Sequence, residues 1–203
     1  MDEAKIRLSA KEMELVTNAG WILTKNDIMQ KAKWRLEQLQ QQMTDHVQQL
    51  PQPLTIDISK VSPKISKGEN YKGLPYLVLD YPRIFEKENV FAIRTMFWWG
   101  NFFSITLHLG GIYKEAFEEK IIAATDIFKS NDFAWCINTD EWEHHFETSN
   151  YIPLTTYTAN EFKTLVEKNS FIKKARQYPL QQWNDIPENL ISDFKLILRI
   201  LGT

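Results

Sequence analysis

Residues 90–109 constrain the fold more than any other part of the chain. Apolar residues fill most of 90–99 and alternate with polar ones over 103–109, on the two sides of Gly100-Asn101, and the centre of this region reads TMFWWGNFFSITLHLGG over 95–111. Alternation with a period of two is typical of β-strands, and Gly-Asn suits the two central positions of a type II′ hairpin turn. We therefore predict two antiparallel strands, 90–99 and 102–109, joined by a two-residue turn.

Such a turn would set the cross-strand register and separate the hairpin into two faces. Thr95 would lie opposite Thr106, and Ile93 opposite His108. One face is then almost wholly apolar, and the other is mixed. The mixed face carries the candidate ligand-binding residues Trp99, Phe97, Phe102, Thr95, Ser104, Thr106 and His108. A turn longer by one residue would exchange the two faces of one strand.

The mixed face has the composition of a ligand site, because aromatic side chains lie beside a few polar groups. Trp98, Trp99, Phe102 and Phe103 together could bury on the order of 600–1,000 Å², more than most monomers leave exposed in one patch. The chain's own helices, a second copy or a ligand must therefore cover this tip. Without a ligand, the two Thr residues would be an ordinary cross-strand pair and His108 a hydrogen-bonded residue near the sheet edge.

The order of the other patterns predicts an α+β domain. Capping patterns begin helices at Ser9 and Thr158, and Asp185 with Pro187 begins a last helix. Alternating segments at 54–59 and 76–81 predict strands, and the basic segment between them is interpreted as a mobile loop.

We expect one domain over 1–203, built on an antiparallel sheet of five to six strands and packed by N-terminal and C-terminal helices. Its parts are an N-terminal helical segment 1–50, a sheet region 54–148 with hairpins 90–109 and 133–148 and helix 113–129, and C-terminal helices over 158–203.

Helix 24–50 has an apolar stripe with a heptad-like spacing, which includes Met29, Leu36, Leu39 and Met43. The stripe has two interpretations. It could lie on the domain's own sheet, or it could pair with a second copy of the chain and form a homodimer.

Composition excludes several classes of protein. The formal charge is −2 and no nucleic-acid module is present, so nucleic acid is not an expected partner. No apolar run approaches the ~18–20 residues that a membrane span requires, so no membrane association is expected. Cys136 is the single cysteine, which excludes an intrachain disulfide and favours a reducing, cytoplasmic compartment.

The segment DEWEHHFE, 140–147, is the cluster most similar to a metal site. His145 and Glu143 could share a cation, but the spacing supplies no third ligand, and we predict neither a metal nor a cofactor. No G-x-S-x-G elbow or phosphate-binding loop is present.

Three functional hypotheses follow from the sequence. The leading one is a non-enzymatic binding module for a small apolar or planar ligand or a partner protein. The second is a hydrolase-type enzyme that uses His108 or His145 with carboxylates from Asp80, Glu141 or Glu143. The third is a structural homo-oligomer formed through helix 24–50.

Overall fold

The computed structural model describes residues 6–50 and 58–202 of the chain. It contains two compact units, Met1–Arg35 and Leu36–Thr203. The described part of the first unit is helical. The second unit contains the rest of the long N-terminal helix, all strands of the sheet and the remaining helices.

Six α-helices and seven strands lie within the described residues, which confirms the α+β class. The helices are α1 Ala10–Thr17, α2 Ala19–Gln48, α3 Ile112–Ala123, α4 Thr125–Ser130, α5 Ala159–Lys168 and α6 Ile186–Leu201. The strands are β1 Lys64–Tyr71, β2 Leu74–Glu86, β3 Asn89–Trp98, β4 Phe102–Gly110, β5 Ala134–Cys136, β6 Tyr151–Pro153 and β7 Phe171–Pro179.

The strands form one antiparallel sheet in the order β1-β2-β3-β4-β7-β5-β6. The sheet has seven strands rather than the five to six expected. β1, β6 and β7 were not predicted, and the strand predicted for the second half of hairpin 133–148 does not form. β7 lies between β4 and β5 in the sheet. It therefore connects the four consecutive strands β1 to β4 with the short strands β5 and β6.

The basic segment before Leu74 is a strand, so its interpretation as a mobile loop was wrong. β1 pairs with β2, and Tyr71 lies opposite Leu74 across a two-residue turn. Both turn residues, Lys72 and Gly73, have positive φ angles, as a type I′ hairpin requires. In the predicted strand 54–59, residues 54–57 lie outside the described residues, and Ile58–Lys60 is a 3-10 turn.

The β3–β4 hairpin reverses where predicted, but its loop has three residues, 99–101, instead of two. Gly100 takes a φ of 72°, and the Asn101 amide donates to the Trp98 carbonyl at 3.1 Å. Trp98 therefore lies opposite Phe102, and Thr95 opposite Ile105. The predicted Thr95–Thr106 and Ile93–His108 pairs are wrong, since the extra loop residue shifts one strand by one position.

The predicted hairpin 133–148 does not form. β5 has only three residues and pairs with β6 and β7, and residues 137–150 contain neither helix nor strand. We call residues 137–150 the covering segment, because its side chains pack on one face of the sheet. Phe146 lies against Phe102 at 5.1 Å between ring centroids, and Trp142 against His108 at 5.5 Å.

Helices cover the other face of the sheet, where most of the core lies. Phe117 of α3 contacts Phe91, Phe194 of α6 stacks on Tyr81, and Phe162 of α5 meets Trp135 edge-on. In the second unit, the α2 stripe residues Leu36, Leu39, Met43 and Val47 are buried within the chain itself.

The helix boundaries agree in part with the sequence. The capping boxes at Ser9 and Thr158 are confirmed, and so is a last helix that ends at Gly202. The predicted helix 113–129 is two helices that meet at Ala124, and α2 begins at Ala19 rather than near Thr24. None of the described helices has both the length and the apolar character needed to cross a bilayer.

Candidate functional site

The hairpin register divides the seven predicted site residues among three places. Phe102, Ser104, Thr106 and His108 share the face under the covering segment, because alternate residues of β4 point to one side. All four are buried.

The other three predicted site residues lie elsewhere. Thr95 and Phe97 are on the helix-covered face, where both are buried. Trp99 is in the turn, half-buried, with its ring edge-on to Phe97 at 6.5 Å. The structure therefore brings together the β4 half of the predicted site and separates it from the β3 half.

A row of reactive side chains crosses the sheet beneath the covering segment. His108 lies opposite Lys173, and Cys136 lies opposite Tyr151. Trp135 of β5 lies opposite Lys174 of β7, so the next position along each strand brings Cys136 beside Lys173. Tyr151, Cys136, Lys173 and His108 thus come from four strands and lie on one face.

Lys173 connects the covering segment to this row through hydrogen bonds. Its Nζ donates hydrogen bonds to the backbone carbonyls of Glu141, at 2.7 Å, and of Glu143. Burial lowers the pKa of Lys173 to about 8, although the nearby Cys136 and acidic residues oppose that shift. The amine satisfies carbonyls of a segment that has no strand partner of its own.

His108 makes the contact that the hydrolase hypothesis requires. Its Nε2 lies 2.8 Å from a carboxylate oxygen of Glu141. Burial, with the charges of Lys173 and Arg94, lowers the pKa of His108 to about 3, and burial raises the pKa of Glu141. The imidazole is therefore neutral at physiological pH and donates its N–H to the carboxylate.

An ion pair lies next to this row. Arg94 binds both carboxylate oxygens of Asp80, at 2.7 and 2.9 Å, and its third nitrogen contacts His144 Nε2 at 3.0 Å. Burial and the surrounding cations hold the pKa of His144 well below its ordinary value. His144 is thus a neutral acceptor for the guanidinium, and Arg94 fixes a second point of the covering segment.

Tyr71 of β1 fixes a third point. Its hydroxyl accepts the backbone N–H groups of His144 and His145, at 2.8 and 3.0 Å, and donates to Glu143 at 2.8 Å. Burial raises the pKa of Tyr71. The four groups Lys173, His108, Arg94 and Tyr71 therefore account for most of the polar contacts that hold the segment down.

This cluster is better suited to hold a segment than to perform acid–base chemistry. A histidine with a pKa near 3 is a weak base at neutral pH, and the Lys173 amine already serves two carbonyls. Cys136 donates to the Asn150 side chain at 3.4 Å, and burial raises the pKa of its thiol. A buried thiol with a raised pKa is a poor nucleophile.

An open cleft lies beside the cluster, at the end of β7. β5 pairs with β7 only at Lys174 and Ala175, so the following residues of β7 have no strand on that side among the described residues. The resulting cleft has a volume of about 660 Å³. This is within the range of ligand pockets, roughly 300–1,000 Å³.

One wall of the cleft is aromatic and belongs partly to the covering segment. Phe146 and Tyr151 both line it, and their rings stack with centroids 4.7 Å apart and an interplanar angle of 20°. Phe102 supports Phe146 from behind. The cleft thereby connects with the predicted site through Phe102.

The opposite side of the cleft is polar but has little unbalanced charge. Arg176 bonds the buried Asp193 at 3.1 Å and lies 3.8 Å from Asp132, and Tyr178 also donates to Asp193. Lys129 donates to the Tyr157 carbonyl at 2.9 Å. Uncharged polar side chains also line the cleft: Thr155, Gln177, Gln182 and Asn189.

No protein-family model matches the chain, and searches of curated proteins and of solved structures find no match.

Sequence reasoning identified some of these residues and missed others. His108, Asp80, Glu141 and Glu143 were candidates, but Lys173, Tyr71, Tyr151 and Arg176 were not. No group of three or more His, Cys, Asp or Glu side chains suited to a metal ion occurs in the described part of the chain. The adjacent lysines of KKAR, 173–176, were the one available signal, since charged residues next to apolar ones in a buried strand require partners.

Proposed function

We propose that the protein is a binding module that takes a small, planar, uncharged molecule into the cleft at the end of β7. The observation that carries this proposal is the cleft itself, with stacked Phe146 and Tyr151 on one wall and uncharged hydrogen-bonding groups on the other. A flat ring can lie against the aromatic wall while its polar edge meets the amides.

The charges around the cleft select against a strongly ionic ligand. Arg176 already has two carboxylate partners, and Lys129 bonds a backbone carbonyl. An anionic ligand that displaced Asp193 from Arg176 would leave this buried carboxylate without its cationic partner, which is costly. A neutral heteroaromatic molecule meets no such cost.

The test is a screen of uncharged and charged aromatic fragments by ligand-observed NMR. Gln182→Trp should fill the cleft, while Gln181→Trp, on the adjacent exposed position that does not line it, is the matched control. We expect uncharged fragments to bind the wild type and Gln181→Trp alike, and to bind Gln182→Trp at least tenfold more weakly. Unchanged binding to Gln182→Trp would refute the proposal.

A hydrolase is the second candidate, and the 2.8 Å contact between His108 and Glu141 favours it. Catalysis would require the covering segment to open, because His108 is buried and does not line the cleft. Assays with chromogenic ester substrates test this alternative. Activity that disappears in His108→Gln would favour it over simple binding.

We also propose a cytoplasmic location. Cys136 is buried and has no disulfide, as is usual for a protein of a reducing compartment.

A further inference from the structure

The N-terminal residues 6–24, here the N-terminal surface, expose an unusual amount of apolar side chain. Every residue of this stretch is exposed, and α1 has no buried residue at all. Its large apolar side chains include Met13, Leu15 and Val16 of α1 and Trp21, Ile22 and Leu23 of α2, each between 41% and 68% exposed.

α1 buries none of its residues, so packing within the chain does not account for its helical form. It has eight residues, and isolated helices shorter than ~12–15 residues are marginal in water. Its capping box satisfies backbone groups only in the first turn. A short helix with three exposed apolar residues gains stability chiefly by packing them, so this surface requires a cover.

We propose that a second copy of the chain provides this cover, through packing of the two N-terminal surfaces. Trp21, Ile22 and Leu23 are consecutive, and at ~100° per residue they span about 200° of the helix circumference. A membrane surface accepts one side of a helix. Helices from a second copy can pack on more than one side.

The apolar area is the amount that a stable dimer needs. With about 200 Å² for the Trp21 side chain and about 150 Å² for each aliphatic one, the six exposed residues present about 500 Å², and Ile6 and Leu8 raise this to about 700 Å². A symmetric pair would then bury about 1,400 Å² in total, which is within the ~1,200–2,000 Å² of a specific interface.

Charge also favours a two-fold pair. α1 carries two acidic residues and one basic residue, whereas residues 25–35 carry four basic residues and one acidic residue. An isologous interface brings the same patches together twice, so α1 of each copy can lie against the basic half-helix of the other. Opposite net charge then steers the two copies into register.

Sedimentation equilibrium of the full chain from 1 to 100 µM tests the proposal. We expect a mass near twice 23.9 kDa at the upper concentrations. Leu23→Lys should raise the dimer dissociation constant at least tenfold, because it places a charge in the apolar contact. Ile112→Lys is the matched control, since Ile112 is 55% exposed against 60% for Leu23, and it should leave the constant unchanged.

Three outcomes would overturn the proposal. One is a monomer at 100 µM, and another is a dimer that Leu23→Lys does not weaken. The third is a monomer that binds phosphatidylglycerol vesicles through Leu23, which would identify a lipid surface as the cover. Circular dichroism at low concentration shows whether each variant is folded. Fragment binding to the cleft is measured separately, so failure of this proposal leaves the proposed function intact.

Discussion

Lys173 and Lys174 are neighbours on β7, and the same substitution should change stability in opposite directions at the two positions. Lys173 faces the covering segment and bonds two backbone carbonyls. Lys174 faces the helices, where its Nζ lies 4.1 Å from the centroid of Phe128 and 4.3 Å from that of Phe162. The Lys174 amine is buried without a hydrogen-bond partner among the described residues.

The contacts of each amine determine how much each substitution should change the free energy of unfolding. An unsatisfied buried polar group costs about 1–3 kcal/mol, so Lys174→Met should stabilise the protein by about that amount. Methionine fills a similar volume and retains favourable contact with the aromatic rings. Lys173→Met instead leaves two carbonyls without their donor and should destabilise by about 1–3 kcal/mol. For a chain of this size, each kcal/mol shifts Tm by about 2–4 °C.

Urea denaturation at pH 7 measures both changes by linear extrapolation. Burial lowers the pKa of Lys174 well below 10.5, so on raising the pH the folded state releases this proton before the unfolded state does. Wild-type stability should therefore rise relative to Lys174→Met as pH increases toward 10.5, and fall toward acid. If Lys174→Met destabilises by more than about 1 kcal/mol, or both variants move in the same direction, the reasoning is wrong.

Three further predictions concern the covering segment and the capped helix. Tyr71→Phe should cost about 2–3 kcal/mol and speed amide exchange over 137–150, whereas Tyr76→Phe, whose hydroxyl makes no contact with this segment, should not. The pKa of His108 is lowered from 6.5 to about 3, so on acidification the unfolded state takes up a proton on this residue before the folded state does. Tm should therefore fall as pH decreases from 6.5 toward 3, and His108→Gln should make Tm less dependent on pH in this range. Thr158→Ala removes the cap of α5 and should cost about 1 kcal/mol in urea denaturation, and no measurable loss would contradict the capping role.

The sequence was sufficient to predict the elements that depend on residues close together in the chain. Ser9 and Thr158 cap helices through side chains three residues away, and Gly100 reverses the chain because it tolerates a positive φ. The Gly-Asn pair alone was not enough to predict the length of the β3–β4 loop. One additional loop residue moved His108 from opposite Ile93 to opposite Ala92, and with it changed which residues share a face.

The site depends on long-range pairing, which a single sequence does not display. β7 contributes Lys173 and Arg176, yet it enters the sheet between strands far from it in the chain. Both of its faces are buried, so its sequence lacks the alternation expected of a half-exposed strand. The covering segment was interpreted as a strand because DEWEHHFE alternates, but its polar groups bond side chains of the sheet instead of a neighbouring strand.

Soaking crystals of the protein with uncharged heteroaromatic fragments shows whether the cleft is a binding site. We expect electron density for a flat molecule between the Phe146–Tyr151 pair and the amides of Gln182 and Asn189. Fragments found only in the apolar groove lined by Ile127 and Ile200, with the cleft occupied by water alone, would contradict it.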